Sequence, residues 1–385
     1  MVQGVECYHV NVRLSRNLED IGDFRIQKIF HLIRCCLSAI YLRFRHGVTN
    51  FYYVPAPGKS LALVRDWIVF SLCRPFFKRF VFHWHAAGLA IWLNRRLRFP
   101  TQSITRRLMK NVDLSIVLSQ FSHIDPETLL PKRIELVRNG IPDPCPDFEK
   151  AVLPRRQARL AMRRRLLSGQ SPSNGESSDV NGSHLFKVLF LAHCSREKGL
   201  FDTLDGVALA NERLDRARSP IRVHLTVAGE FTRPRERAEF ERRVRQPDLQ
   251  LTDAEDGSRQ TATLPAVHYA GFVGGEMKHR LFAESDCFCL PTYYRAESFG
   301  LVLVEAMAFG LPIIAARWRS IPEILPEDYP GIVPVRSPEM IADAILHWLN
   351  AASLEPLRSH FLRNFTVDRH LSRLAEAIRG IETGP

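Results

Sequence analysis

Residues 290–325 read LPTYYRAESFGLVLVEAMAFGLPIIAARWRSIPEIL. An apolar strand closes at Pro291, a polar loop follows, and a helix is expected to open at Ser298 and stop at Gly310, with Pro312 just beyond. Serine is a favoured N-cap, and glycine followed by proline is a usual helix stop. A helix placed directly after a parallel strand aims the unpaired N–H groups of its first turn, here Phe299, Gly300 and Leu301, at the carboxyl end of that strand. Those donors and the helix dipole favour a phosphate. Gly300 has no side chain to keep a ligand from the backbone.

Outward from this stretch, short apolar runs alternate with longer amphipathic ones. Strands are expected at 188–192, 223–228, 267–270, 287–290, 313–316 and 332–335, with helices over 200–212, 234–244, 276–285, 299–309 and 338–351. Such alternation predicts a parallel, doubly wound α/β sheet. The first half repeats the theme less regularly, with strands at 7–12, 50–54, 79–83, 114–118 and 134–137 and helices over 24–44, 60–76 and 120–129. A chain of 385 residues exceeds what one core serves, so two domains are expected. Their boundaries read as 1–145 and 186–352. A basic linker with a Ser/Gly/Asn-rich loop fills 146–185, and terminal helices fill 353–385. Residues 246–264 read as a polar surface insertion.

Two carboxylates flank the first turn of the central helix, Glu297 and Glu305. Eight helical steps separate their backbones by roughly 12 Å, whereas the acid and base of a glycosidase lie about 5–9.5 Å apart. The spacing fits two separate tasks: Glu297 in the loop beside a transferred group, and Glu305 two turns in, accepting bonds from a ribose diol. The alternative is an ordinary helix residue, but a carboxylate among Val302, Leu303, Val304, Ala306 and Met307 needs a partner if buried.

The pattern ESFGLVLVEAMAxGLPIIA closely resembles the retaining glycosyltransferases of the glycosyl-group-1 (family 4) type. The resemblance implies a GT-B fold, two Rossmann-like domains facing across a cleft. It implies that Glu305 holds the nucleotide ribose, that Glu297 lies beside the donor sugar, and that Ser298, Phe299, Gly300 and Leu301 bind the diphosphate. VLFLAHCSREKG at 188–199 resembles the opening strand and loop of the family's nucleotide domain, with Lys198 matching its phosphate-binding lysine. The family's usual arginine five residues upstream is His193 here, and Arg196 is a candidate for the second positive charge. HYAGFV at 268–273 resembles the segment beneath the base, where Phe272 and Val273 either contact the base through backbone or pack in the core. VFHWH at 81–85 resembles the H-x-H at a first-domain strand end, so His85 matches the histidine that faces the sugar and His83 supports it. DLSIVLS at 113–119 and VRNGI at 137–141 extend the likeness.

The implied chemistry transfers a sugar from a nucleotide-sugar, UDP- or GDP-linked, to a glycan or lipid-linked acceptor with retention of configuration, as in cell-envelope polysaccharide synthesis. No cofactor and no metal are expected. A sugar-nucleotide epimerase and a non-catalytic sugar-nucleotide-binding protein of the same fold are the alternatives. A nicotinamide enzyme would need G-x-G-x-x-G after a strand, which is missing. The formal net charge of +12 attracts polyanions. No helix-turn-helix or zinc pattern supports nucleic acid. An anionic membrane surface fits better, because the segments 24–45 and 74–99 mix cations with apolar and aromatic residues. The eight cysteines show no C-x-x-C pair and no apolar run reaches about 18 residues. The expected location is cytoplasmic, peripheral at the inner face of the membrane. The opening MVQGVECYHVNV reads as a second strand, so a first strand, loop and helix are expected to be missing.

Overall fold

The computed structural model describes residues 4–12, 26–56, 60–96, 101–169, 184–252, 263–351 and 357–381. In chain order the first half contains α1 (Ile26–His46), β1 (Asn50–Tyr53), α2 (Ser60–Cys73), β2 (Arg79–Trp84), α3 (Leu89–Arg96), α4 (Thr101–Met109), β3 (Leu114–Val117), α5 (Ile124–Glu127) and β4 (Ile134–Leu136). Next come α6 (Leu153–Leu167), β5 (Leu185–Leu191), α7 (Leu200–Arg216), β6 (Arg222–Ala228), α8 (Pro234–Arg243), β7 (Gln250–Thr252), β8 (Thr263–Pro265) and β9 (Val267–Gly271). The remainder is α9 (Gly275–Glu284), β10 (Cys287–Leu290), α10 (Leu301–Ala308), β11 (Ile313–Ala316), α11 (Ile321–Ile324), β12 (Ile332–Val333), α12 (Pro338–Asn350), α13 (Leu357–Asn364) and α14 (Val367–Arg379).

Two compact units result. The first holds Met1–Gly140, the short stretch Ala296–Phe299, and Val367–Pro385; the second holds Ile141–Arg295 and Gly300–Thr366. Each is built on a parallel sheet. The first unit's strands run in the order β1-β2-β3-β4, and the second unit's in the order β12-β11-β10-β5-β6-β9. Parallel strands covered on both faces become continuous apolar runs. CFCL in β10 and IIAA in β11 are buried at every position.

In the first unit, Phe80, Phe82 and Trp84 of β2 pack with Leu63, Phe70, Leu89 and Met109 of the helices. The opposite face, with Val81, Leu114 and Ile116, is covered by Leu374 and Ala377 of α14.

Several expectations need correction. Residues 6–12 form no strand. They lie instead along α1, where Tyr8 stacks on His46 and the Asn11 carbonyl accepts from the Cys35 thiol. The central helix begins at Leu301, not at Ser298, because Gly300 occupies the N-cap in the left-handed region at φ 83°. A Cβ on Gly300 would also stand 3.0 Å from Ile321 Cδ1. The expected helix 120–129 is a 3-10 turn followed by the short α5. The basic stretch read as linker is helical α6, and the 246–264 insertion contains the antiparallel pair β7–β8. The expected flexible loop falls largely on residues 170–183, outside the described residues, as do 253–262 of the insertion and 24–25 of the first helix.

Helix α6 buries its charges in the second unit. Arg163 and Arg159 reach Asp286 at 2.8 and 3.1 Å, and the Lys187 amide donates to the same carboxylate at 3.0 Å. Burial alone would raise the Asp286 pKa, but the two guanidiniums outweigh it and hold it below the usual carboxylate range. Removing one partner strands the other charge in the interior. Asp286→Ala should therefore cost about 3–5 kcal/mol of unfolding free energy, measured by urea denaturation at neutral pH. A loss under about 1 kcal/mol, the scale of a surface pair, would show that this cluster does not hold α6 in place.

Candidate functional site

The second sheet changes direction at one place. From β5 the chain steps to β6 and β9 on one side, while β10, β11 and β12 build outward on the other. The connections leaving the carboxyl ends of β5 and β10 therefore lead in opposite directions along the sheet, the switch point at which open α/β sheets bind ligands.

The two loops are tied together at that point. The Tyr293 amide donates to the Glu197 carbonyl at 2.8 Å, and Thr292 Oγ1 donates to the same oxygen at 3.3 Å. Gly199, at φ 82°, lies so close to the second loop that a Cβ would stand 2.5 Å from the Pro291 carbonyl oxygen. Only glycine meets both demands. This anchors Lys198, whose ammonium lies 4.8 Å from the centre of the Tyr294 ring. The first turn of α10 starts from the loop after β10, and Leu301 there is exposed. Glu305 is half-buried and pairs with Lys278 of α9 at 2.7 Å. That pairing is the partner a carboxylate in so apolar a helix requires.

The remaining second-unit candidates fall at the same edge. Phe272, just past β9, is 74% exposed, which removes the core-packing alternative for its side chain, and Val273 is half-buried. His193 is exposed in the loop after β5. Arg196 is engaged: its guanidinium pairs with Glu239 of α8 and lies 4.5 Å from the centre of the Phe201 ring, while its amide donates to Glu236 at 2.9 Å.

The opposite end of α10 is held by two arginines. Arg156 donates to the carbonyls of Phe309 at 2.5 Å and Gly310 at 3.0 Å, and Arg358 donates to that of Ala308 at 2.8 Å. Asp143 takes Arg358 in a two-pronged pair at 2.7 and 2.6 Å. Cations at a helix C-terminus complement its dipole.

The first unit supplies its own cluster. His85 follows β2 and is exposed. Its ring lies 4.1 Å from that of His83, which in turn stacks at 6.1 Å on His370 of α14. His370 Nδ1 is 2.8 Å from the Arg138 carbonyl, so that nitrogen carries the proton. His83 is buried; its Nδ1 shares a hydrogen bond with the Tyr52 hydroxyl, and its Nε2 has no hydrogen-bond partner among the described residues. Burial, then His85 and His370, push its pKa down to about 3. Partial burial and His370 also lower that of His85. Both shifts favour the neutral imidazole at His83 and His85. Asp125, buried in α5, receives the amides of Gly88 and Ala90 at 2.7 Å each and so fixes the loop that follows His85. Glu297 and Phe299 are buried and Ser298 half-buried, all counted with the first unit.

Sequence reasoning missed Lys278, Tyr294, Tyr52, His370, Asp125 and the two arginines, Arg156 of α6 and Arg358 of α13, that hold the end of α10. A lysine on an amphipathic helix or a histidine on a terminal one carries no local signal. Only Arg156 and Arg163, two of the six arginines between 155 and 165, stood in a segment whose charge density was visible. Among the described residues there is no His/Cys/Asp/Glu group arranged to hold a metal ion.

Residues 181–364 match the family model described as glycosyl transferases group 1. A 77-residue stretch is 40% identical to the sulfoquinovosyl transferase SQD2 of Arabidopsis thaliana, covering 20% of this chain and 14% of that protein. Over 134 residues the chain is 33% identical to a phosphatidyl-myo-inositol mannosyltransferase of Propionibacterium freudenreichii, covering 32% of this chain and 34% of the relative. The matched segments thus span about a third or less of these relatives. Among solved structures, Anabaena HepE in complex with UDP and glucose superposes with a TM-score of 0.60 at 16% identity, over 90% of this chain and 81% of that one. The α/β architecture with two parallel sheets is that of the GT-B fold.

Buried His83 makes a prediction. His83 has a folded pKa near 3 against an ordinary 6.5, so the unfolded chain binds the extra proton between those values. Its contribution is intact above pH 6.5 and is lost as pH falls towards 3. Urea midpoints of the parent chain should drop between pH 7 and pH 4.5, by the order of 2 kcal/mol from this residue. His83→Gln should show a shallower decline, and identical pH slopes would exclude a buried neutral His83.

Proposed function

We propose that this chain, whose residues 181–364 match the glycosyl transferases group 1 model, is a member of that family and transfers a sugar from a nucleotide-sugar to an acceptor with retention of configuration. One observation carries the reading. Lys198, the opening turn of α10 and Glu305 gather at the switch point of the second sheet, on the very elements the family model spans.

The roles follow from chemistry. Lys198 and the amides after Gly300 neutralise the diphosphate, and Glu305 accepts from the ribose hydroxyls, exchanging part of its bond to Lys278. Exposed Phe272, with Val273, flanks the base. The engagement of Arg196 by Glu239 leaves Lys198 as the principal cation, with His193 near the same loop. Glu297 and His85 act on the transferred sugar, the latter as a neutral imidazole. The bond from the anomeric carbon to the diphosphate oxygen breaks, and the acceptor oxygen bonds to that carbon on the same face. The acceptor's proton passes to the departing diphosphate. Protein groups supply positioning and charge stabilisation rather than a covalent intermediate.

UDP in the HepE complex favours a UDP-sugar as donor. The phosphatidyl-inositol mannosyltransferase relative favours a lipid-linked acceptor over a free glycan, handled at the cytoplasmic face of a membrane during envelope synthesis. Because Lys198 and the helix dipole provide the positive charge, turnover is expected to be independent of divalent metal and unchanged by a chelator.

Glu305→Ala should weaken UDP binding by about 1.5–3 kcal/mol, the worth of a charged hydrogen bond. Isothermal calorimetry reads this directly, and unchanged affinity removes the ribose role. His85→Ala and Glu297→Ala should cut turnover far more than UDP affinity. Binding that collapses in both variants would place these residues on the nucleotide instead. A calorimetric and hydrolysis panel of UDP-, GDP-, ADP- and CMP-sugars tests the donor. Turnover of the donor with no acceptor incorporated would favour an epimerase.

A further inference from the structure

Helix α1 presents an apolar stripe on the side where a polar one belongs. At about 100° per residue, its buried residues Leu32, Cys35 and Cys36, with partly buried Ala39, face the first unit's core. Directly opposite, Phe30 (69% exposed), Leu37 (60%), Tyr41 (64%) and Phe44 (68%) fall within an arc of roughly 60° and extend for roughly 21 Å. Phe76, itself 41% exposed, prolongs the stripe through a ring contact with Phe44 at 6.1 Å. Single exposed hydrophobic residues need no explanation, but a continuous row of large ones marks a surface that is covered in use.

The charge around the row indicates what covers it. Helix α1 carries Lys28, Arg34, Arg43 and Arg45 and not one Asp or Glu in 21 residues. Arg34 and Arg45 are exposed and flank the stripe at about 40–60° around the axis. Arg43 lies 5.9 Å from the centre of the Phe44 ring and donates to the Phe76 carbonyl at 3.1 Å. A helix lying in the plane of a bilayer has this design, with aromatic and aliphatic side chains entering the acyl boundary and cations meeting anionic headgroups. No described helix is long and apolar enough to cross a membrane, so the contact is interfacial. We infer that α1 is a membrane-docking element and that its partner is a bilayer surface rich in anionic lipid. The inference does not depend on the transferase reading, since docking is measured with neither donor nor acceptor present.

Vesicle co-sedimentation of the full chain tests it, comparing phosphatidylcholine alone with phosphatidylcholine carrying about one-third phosphatidylglycerol, at low and high salt. The parent chain should favour the anionic vesicles and lose that preference as salt rises. The fourfold variant F30A/L37A/Y41A/F44A should lower partitioning at least about tenfold at either salt, since each large apolar side chain withdrawn from water is worth about that much. The R34Q/R45Q variant should lose the anionic preference and retain the weaker apolar attachment. The fourfold variant should keep the parent's thermal midpoint, because these side chains face away from the core. Unchanged partitioning in it would overturn the inference. So would a large fall in its midpoint, which would mean that the stripe packs within the chain. A concentration-dependent dimer in light scattering that the fourfold variant abolishes would assign the stripe to a second copy and likewise overturn it.

Discussion

The arrangement of the second unit depends on a guanidinium with almost no access to water. Arg156, buried in α6, donates to the last carbonyls of α10 and to that of Phe282 in α9 at 3.4 Å. Burial, then the neighbouring Arg159, lower its pKa to about 10, yet it stays charged at neutral pH. Its cost of desolvation is offset by carbonyls that would otherwise lack donors, since the last turn of any helix leaves such oxygens unpaired. With Arg358 it fixes the negative end of an eight-residue helix whose positive end opens at the switch point. A short helix held at one end by two charges aims its other end with little freedom. The turn proposed to bind phosphate is set from the rear.

Much of the second unit was legible in the sequence because its signals are local. CFCL and IIAA are apolar throughout, and the structure gives them the expected bounds, Cys287–Leu290 and Ile313–Ala316. Proline-led starts at Pro234 and Pro338 likewise stand where the helices α8 and α12 begin. The start of α10 was misplaced because Ser298 carries a cap signal while Gly300 takes the left-handed conformation that sets the true boundary, and propensity says nothing about packing against Ile321. The first unit was harder to read. CYHVNV alternates like a strand, but an extended run becomes one only if a neighbour offers hydrogen bonds, and here residues 6–12 meet a helix. Helix α6 was hidden for the opposite reason. Its many arginines read as solvated linker, and only the acceptors of Phe309, Gly310 and Asp286 make three of them interior residues.

The candidate site divides along the same line. Lys198, Glu305 and Gly300 belong to contiguous patterns. Lys278 and Tyr294 approach them from other elements, and the histidine stack joins β2 to a helix almost 290 residues later. That stack explains how a sequence so basic keeps a neutral imidazole at His85. Burial keeps from His83 the water that would stabilise charge, and the neighbouring rings penalise protonation of both His83 and His85. His85 therefore offers hydrogen bonding without repelling or over-binding a cationic or anionic group near it.

The position of α14 has a consequence for the order in which the chain matures. Val81, Leu114, Ile116 and Val137 emerge from the ribosome early, and the residues that cover them, Leu374 and Ala377, emerge more than 230 residues after Val137. At typical synthesis rates the roughly 240 residues between Val137 and Ala377 take about 12–48 s to translate. Throughout that interval one face of the first sheet is without its cover, while the second unit, almost continuous in sequence, has its elements to hand sooner. Vectorial synthesis thus favours closure of the second unit before the first, and the nascent first sheet is the stage at which a chaperone has something to bind.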